Sequence, residues 1–331
     1  MQKASGRYLL SGASGMLGTA IRREFTRREL EVLTLVRPGR QLQRGQSVRP
    51  SASDRPALRS VAVALSGEVP WNPTAAQAVP HPELLECTDA AIHLSGANLA
   101  DHRWTAEYKN KIVSSRVEST RALASTLAGL RQRPSTMLVA SAVGIYGNRG
   151  DEMLDDSSAP GSGFLADLCR QWEAAAQPAV DAGIRVVHLR FGVVIGNRSN
   201  PGSLARVYRI FGLGLGGRLG SGRQWMSWIG LSDLAAAVFF LLQKTEISGA
   251  VNVTAPNPVT NAQFTVALAR EMHRPAFLPV PAAALRLAFG EMSDEALLAS
   301  TRAYPSRLTA AGFQFEHPTI DLALSAGLRR L

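Results

Sequence analysis

Ser11-Gly12-Ala13-Ser14-Gly15-Met16-Leu17-Gly18 is the stretch on which the reading of this chain turns. It sits between Arg7–Ser11, a short apolar strand, and Gly15–Arg28, a helix. Three glycines at a first strand-to-helix junction have a chemical reason. A pyrophosphate needs bare backbone N–H groups and the positive end of a helix dipole, and side chains would block its approach. Gly12 permits the tight turn, Gly15 lets the backbone come close, and Gly18 allows the helix to pack on the strand. Gly12, Ala13, Ser14, Gly15, Met16 and Leu17 are therefore the candidate phosphate-binding residues. The alternative is a glycine-rich turn without a ligand.

The second strand, Glu31–Arg37, refines this reading. A site preferring NAD(H) places an acid near the end of that strand to bind the ribose hydroxyls. Here Val36-Arg37 stands instead. A carboxylate would repel a 2′-phosphate, whereas a guanidinium can grip it with two hydrogen bonds. The expected cofactor is NADP(H), preferred over NAD(H), with Arg40 assisting. The competing reading of Arg37 is an ordinary strand-end charge.

Working outward, strands and helices alternate. Residues 38–60, punctuated by Pro38, Gly39, Gly45, Pro50 and Pro56, read as a mobile loop. A third strand falls within Val61–Trp71 and a fourth at Asp89–Leu94. A long helix runs from about Thr105 to Leu130, with Ile112, Val113, Val117, Leu123 and Leu127 at helical spacing. Strands at Thr136–Ala142 and Val186–Ile195 flank a helix at Gly163–Ala182. Such alternation requires a parallel sheet covered on both faces. The fold class is α/β, a Rossmann-type doubly wound parallel sheet with a smaller C-terminal mixed α/β substrate domain. Residues 1–195 form the dinucleotide-binding domain and 196–331 the substrate side, part of 232–260 returning to the first. In the second half, Ser232–Gln243 reads as a helix capped by Ser232 and Asp233, and Ala250–Thr254 as a strand. Thr260 and Gln263 have capping-box spacing for a helix from Asn261.

At 331 residues the chain is long enough for two domains. Its 46% hydrophobic and 19% charged residues exclude disorder as the main state. The apolar run Leu234–Leu242 is too short to cross a bilayer, and no secretory signal opens the chain. Cys87 and Cys169 are too few for a disulfide scaffold and are expected to be buried thiols in a reducing cytoplasm. The net charge is +10, and residues 1–60 hold twelve bases against four acids. That bias suggests a nucleic-acid surface, but no helix-turn-helix, zinc-finger or RNA-recognition pattern accompanies it. Six histidines show no metal-ligand spacing. Asp151, Glu152, Asp155 and Asp156, among Ser and Gly, read as a solvated loop. The expected partners are a small-molecule substrate and a second copy of the chain, with no metal, membrane or nucleic acid.

Several later segments carry a resemblance. They are His93-Leu94-Ser95-Gly96-Ala97-Asn98, Arg103-Trp104-Thr105, Ser114-Ser115-Arg116, Ser141-Ala142-Val143-Gly144-Ile145-Tyr146-Gly147 and Cys169-Arg170-Gln171-Trp172-Glu173. Arg190-Phe191-Gly192-Val193-Val194 follows, then Gly212 to Gly217, Gly220-Ser221-Gly222-Arg223-Gln224 and Trp228-Ile229. Together with the first turn, they resemble the atypical branch of the short-chain dehydrogenase/reductase superfamily, the NAD(P)-dependent epimerase/dehydratase-like, sugar-nucleotide-epimerase-like proteins. The resemblance implies that Leu94, Ser95 and Gly96 lie along the cofactor, that Arg116 is a further contact and Lys111 a less secure one, and that Val194 packs near the nicotinamide. It also implies that the glycine-rich 212–222 segment borders a substrate cleft, with Trp104, Arg223 and Trp225 as candidate cleft residues.

The catalytic apparatus departs from the superfamily. Its members use Ser or Thr with a Tyr-x-x-x-Lys pair, the Lys and the cofactor lowering the Tyr pKa for proton exchange. Aligned on Tyr146-Gly147, the Ser position holds Ala142, with Ser141 beside it. Aligned on Trp172-Glu173, the Tyr and Lys positions hold Leu165 and Cys169. Tyr146, with Ser141 as helper, is the remaining candidate acid, and its competing reading is a packed turn aromatic. Two functions stay open: an NADP(H)-dependent oxidoreductase or epimerase for a small carbonyl or hydroxyl compound, and an NADP(H)-binding sensor or interaction protein with little turnover.

Overall fold

The computed structural model describes residues 6–37, 67–197 and 202–328. The expected loop at 38–60, with Arg40, and the part of the third-strand expectation before residue 67 lie outside them.

A seven-stranded sheet carries the fold. In chain order its strands are β1 (Arg7–Ser11), β2 (Glu31–Val36), β3 (Glu68–Pro70), β4 (Ala90–His93), β5 (Thr136–Ala142), β6 (Arg185–Phe191) and a strand at Gly249–Val253. Their spatial order runs from Gly249–Val253 through β6, β5, β4, β1 and β2 to β3. The pairs β1–β2, β1–β4, β2–β3 and β4–β5 are parallel, as is Gly249–Val253 with β6. The strand order runs outward from β1 through β2 to β3 on one side and from β4 through β5 to β6 on the other, reversing between β1 and β4 as in the Rossmann arrangement.

Two elements differ from expectation. The sixth strand ends at Phe191, and Val193–Ile195 forms β7, paired in parallel with Trp228–Gly230. Gly192 is the cause. A Cβ there would lie 2.7 Å from the Ser227 carbonyl, and Val193 donates its N–H to that same carbonyl at 2.8 Å. The helix expected over Gly163–Ala182 is two, Phe164–Ala174 and Gln177–Asp181. Pro178 opens the second and cannot donate to a carbonyl one turn back.

The chain divides into two compact units. The first gathers the described residues of Met1–Gly96, Ser114–Val139 and Ala175–Val186. Its core includes Leu9, Leu10, Ile21, Phe25, Leu33 and Ile92, all fully or nearly fully buried. Helix α1 (Met16–Arg27) presents Gly18, Ile21 and Phe25 inward. The second gathers Ala97–Val113, Ala140–Ala174 and Val187–Leu331. Trp228, Phe264, Leu268, Ile320 and Leu324 form one of its apolar cores. Thr260 and Gln263 close the expected capping box at the helix Asn261–Met272.

Three smaller expectations are corrected. Helix Leu231–Gln243 is capped by Gly230 without a side-chain hydrogen bond. Asp233 is buried, and its carboxylate accepts the N–H groups of Glu316 and His317 at 2.8 and 3.0 Å. Cys87 is exposed, its backbone left-handed and its thiol donating to Gln132, while Cys169 is buried as expected. Asp156 does not belong to a solvated loop; it is buried and binds the Asn252 N–H, the Ser306 hydroxyl and the Arg307 N–H.

Candidate functional site

The register of the sheet assembles the first part of the site within the first unit. Ser11 stands opposite Leu35 on one side and His93 on the other. The glycine turn, Val36-Arg37 and Leu94-Ser95-Gly96 therefore leave one carboxyl edge, at the point where strand order reverses. Ligands of open α/β sheets bind in the crevice outside such an edge.

The glycines there are demanded by contact. Gly12 has φ +73°, and a Cβ on it would meet the Leu94 carbonyl group at 2.9 Å. A Cβ on Gly18 would lie 2.2 Å from the Gly12 oxygen, so the helix could not approach the turn. Ser14 and Gly15 are exposed, Met16 and Leu17 half-buried, and Ala13 packs inward. Gly15 is the N-cap of α1, with no capping side chain and no acid in the first turn. Neither its cap nor its first turn thus supplies an anionic side chain to offset the positive end of this helix dipole.

Arg37, directly after β2, is exposed, and its charge reaches the buried ring of His93. Arg116 is buried, with its guanidinium carbon 3.2 Å from where a Gly96 Cβ would sit. Gly96 thus lacks a side chain where Arg116 lies.

Behind the turn is a hydrogen-bonded chain that the sequence reading missed. The Ser11 hydroxyl lies 2.7 Å from His93 Nδ1 and accepts the Leu94 N–H and the Ser95 hydroxyl, each at 3.2 Å. His93 Nε2 lies 3.2 Å from the Ser119 hydroxyl, which donates to the Ser115 carbonyl. Burial, assisted by the charge of Arg37, lowers the imidazole to about 3. A polar residue ending the apolar run Ala-Ala-Ile-His was the available signal.

The second unit holds the candidate proton-exchange residues. Ser141 is buried and donates to Glu173 at 2.7 Å. Arg190 forms a two-pronged ion pair with Glu173, both bonds 2.9 Å. Arg190 also donates to the Tyr146 hydroxyl at 3.0 Å. That hydroxyl lies 2.7 Å from Asn252 Oδ1 and 2.9 Å from the Asp155 carbonyl. Burial raises the Tyr146 phenol, and Arg190 and Asn252 only partly offset it. Burial also acts to raise the Glu173 carboxyl, but Arg190 and Ser141 outweigh it and hold it below the usual range. Tyr146 and Ser141 are thus brought into one buried network with Glu173 and Arg190, residues to which their sequence motifs assign no role. Leu165 and Cys169 are buried.

The candidate cleft residues are spread over this unit. Trp104 is buried against Tyr108, Ile112 and Leu168, with its indole N–H on the Leu99 carbonyl. Arg223 is exposed. Trp225 is half-buried beneath Arg302, whose guanidinium lies 4.1 Å from the ring centre, and donates to Asp151. Val194 is buried, opposite Ile229. Asp233, Glu316 and His317 bring ligand atoms within 4.8 Å of one another, but both Asp233 oxygens already accept backbone N–H groups. Among the described residues no helix is long and apolar enough to cross a membrane.

Residues 8–254 match the NAD dependent epimerase/dehydratase family, and residues 280–326 match a domain of unknown function, DUF1731. The chain is 45% identical to the Epimerase family protein Mb2239 of Mycobacterium bovis, over 84% of this chain and 91% of that one. The crystal structure of the human epimerase family protein SDR39U1, isoform 2, with NADPH is 30% identical, with TM-score 0.80, covering 97% of this chain and 98% of that chain. MoeE5 in complex with UDP-glucose and NAD, 17% identical with TM-score 0.70 over 97% of both chains, shares the fold.

Proposed function

We propose a function from one premise: the chain belongs to the NAD dependent epimerase/dehydratase family. It is an NADP(H)-binding oxidoreductase or epimerase acting on a small carbonyl or hydroxyl compound. The observation that carries this reading is the glycine turn pressed against the end of β4, beside an exposed Arg37 and an uncapped helix end.

Residues Gly12 to Leu17 would hold the diphosphate. Val36 and Arg37 would hold the 2′-phosphorylated ribose, with Leu94, Ser95, Gly96 and Arg116 alongside and Val194 toward the nicotinamide. Arg37 favours NADP(H) over NAD(H), and the relative solved with NADPH supports that preference. When bound, the dinucleotide supplies hydride exchange at nicotinamide C4. Trp104, Arg223 and Trp225 belong to the substrate side, within residues 196–331 apart from Trp104, while residues 1–195 serve the dinucleotide. The Tyr146 and Ser141 hydroxyls are engaged by Arg190, Asn252 and Glu173, so the proton would be exchanged with water while Tyr146 serves the packing of the buried network.

A second reading rests on the same engagement. With Leu165 and Cys169 buried where the Tyr and Lys of the superfamily stand, the chain can bind NADP(H) and turn over little, as a sensor or interaction protein.

Calorimetric titration of nucleotide-stripped protein with NADPH and NADH, followed by NADPH oxidation against a carbonyl panel, separates these readings. Tight NADPH binding with turnover supports the enzyme; tight binding without turnover supports the second reading. No heat with either coenzyme overturns both.

A further inference from the structure

Two segments of the second unit, residues 205–224 and 273–290, meet along 214–220 and 275–282. The Gly216 carbonyl accepts the Leu278 N–H at 3.4 Å, and the Arg218 carbonyl accepts the Val280 N–H at 2.9 Å. Gly217 has no room for a side chain, since a Cβ would lie 1.7 Å from the Leu278 oxygen. Large apolar side chains stand in water along this double edge. Leu213 is 70% exposed, Phe277 73% and Leu287 80%, with Leu215 and Leu278 exposed between them. Clustered exposure of this kind marks a contact surface rather than scatter.

The charges on the same edge that join no ion pair among the described residues have one sign. Arg206, Arg209, Arg218 and Arg274 are exposed and join no ion pair among the described residues, whereas neighbouring Arg270 and Arg286 are held by Asp321 and Asp294. Neither segment contains an acidic residue. A second copy of the chain docked by two-fold symmetry on this edge would set arginines against arginines. A neutral apolar partner would leave them without counter-charge.

We infer that this edge docks on an anionic lipid surface. Leu213, Leu215 and Phe277 enter the boundary between headgroups and acyl chains, and the arginines, with their planar donors, bind lipid phosphates at the rim. Such binding is peripheral and reversible, and it weakens as salt screens the arginines.

Co-sedimentation of the full chain tests it, with phosphatidylcholine vesicles and with vesicles in which about one lipid in three is phosphatidylglycerol. Binding is expected on the anionic vesicles only, and to fall with added salt. Each arginine beside such a surface contributes about five-fold, so Arg206→Gln, Arg209→Gln and Arg274→Gln together lower partitioning roughly 100-fold. Leu213→Ser with Phe277→Ser lowers it at least about ten-fold at unchanged net charge. Circular dichroism and NADPH titration of each variant confirm folding. Absence of binding to anionic vesicles at low salt overturns the proposal. So does binding that neither variant weakens. A self-association that the Leu213→Ser, Phe277→Ser variant abolishes, without vesicle binding by the parent, assigns the edge to a second copy and overturns it equally.

Discussion

The Ser11 hydroxyl and His93 Nδ1 lie 2.7 Å apart, buried behind the glycine turn. Ser11 already accepts from Leu94 and Ser95, so its own proton points at Nδ1. Ser119 already donates to the Ser115 carbonyl, so it accepts from Nε2. Only the neutral imidazole with its proton on Nε2 fits both ends. Backbone at the end of β4 is thereby tied to the end of β1, and the turn between them inherits a fixed shape.

That geometry sets a pH dependence. In the unfolded chain the imidazole titrates near 6.5, and in the folded chain near 3. Between those values the unfolded chain takes up a proton that the folded chain refuses. The contribution of His93 is therefore complete above about pH 6.5 and is lost as pH falls toward 3, at about 1.4 kcal/mol per pH unit. Of the stability lost between pH 7 and pH 5 in urea unfolding, His93 should account for roughly 2 kcal/mol, to which His188, likewise lowered by burial, adds its own share. His93→Asn should remove the His93 share and leave that of His188. Equal pH slopes in parent and variant would refute the assignment.

How much of this was legible before the structure follows from the range of each interaction. Strands β1 and β5 coincide with the expected Arg7–Ser11 and Thr136–Ala142, because both are apolar runs bounded by local breakers. The glycine turn was legible because pyrophosphate chemistry needs glycine at fixed local spacing. The break at Gly192 was not, since its cause is a close approach of Ser227, 35 positions away in sequence. Asp156 read as a solvated acid for the same reason: its partners Asn252, Ser306 and Arg307 lie about a hundred residues or more downstream. The roles of His93, Glu173 and Arg190 likewise come from pairing across strands and helices, which composition does not encode.

Arg37→Asp tests cofactor choice. Replacing a guanidinium by a carboxylate removes a charge-assisted pair and adds repulsion toward a 2′-phosphate. NADPH affinity should fall by about 100-fold, roughly 3 kcal/mol, while NADH affinity is kept or improved. Parallel titrations with both coenzymes measure the ratio. An equal loss for both would make Arg37 an ordinary strand-end charge.

Gly18→Ala tests the packing beneath the turn. The new methyl would sit 2.2 Å from the Gly12 oxygen and 2.6 Å from the Ala13 Cα, both backbone atoms that cannot rotate away. Helix α1 must move outward or the turn must open, at a cost of about 1–3 kcal/mol. Chemical unfolding should report that loss, and NADPH affinity should drop with it, because the same displacement moves the N-cap Gly15. Gly15→Ala is the contrast: its methyl meets only the Gly12 oxygen, at 3.4 Å. It should leave stability within about 0.5 kcal/mol while weakening NADPH. If Gly15→Ala destabilised the fold as much as Gly18→Ala, the division of labour between the two glycines would be wrong.

Arg190→Met tests whether the network around Tyr146 is held by its ion pair. Removing the guanidinium strands Glu173 in a buried site with only Ser141 as donor, and deprives Tyr146 of its donor. A buried carboxylate stripped of its partner costs about 3–5 kcal/mol at neutral pH. The sign of the pH response then inverts. In the parent, Glu173 sits below the usual carboxylate range, so its contribution is present above the unfolded-state value and is lost as pH falls. In the variant, burial without Arg190 raises the carboxyl, so protonation relieves the unpaired charge and the deficit against the parent narrows on acidification. Glu173→Gln in the Arg190→Met background removes the stranded charge and should recover about half of the lost stability at pH 7. Tyr146→Phe leaves the ion pair whole, costs about 1–2 kcal/mol for the unsatisfied Asn252 and Arg190 groups, and preserves any turnover detected in the parent. A Tyr146→Phe variant that folds normally, binds NADPH and loses turnover would instead make that phenol the proton donor.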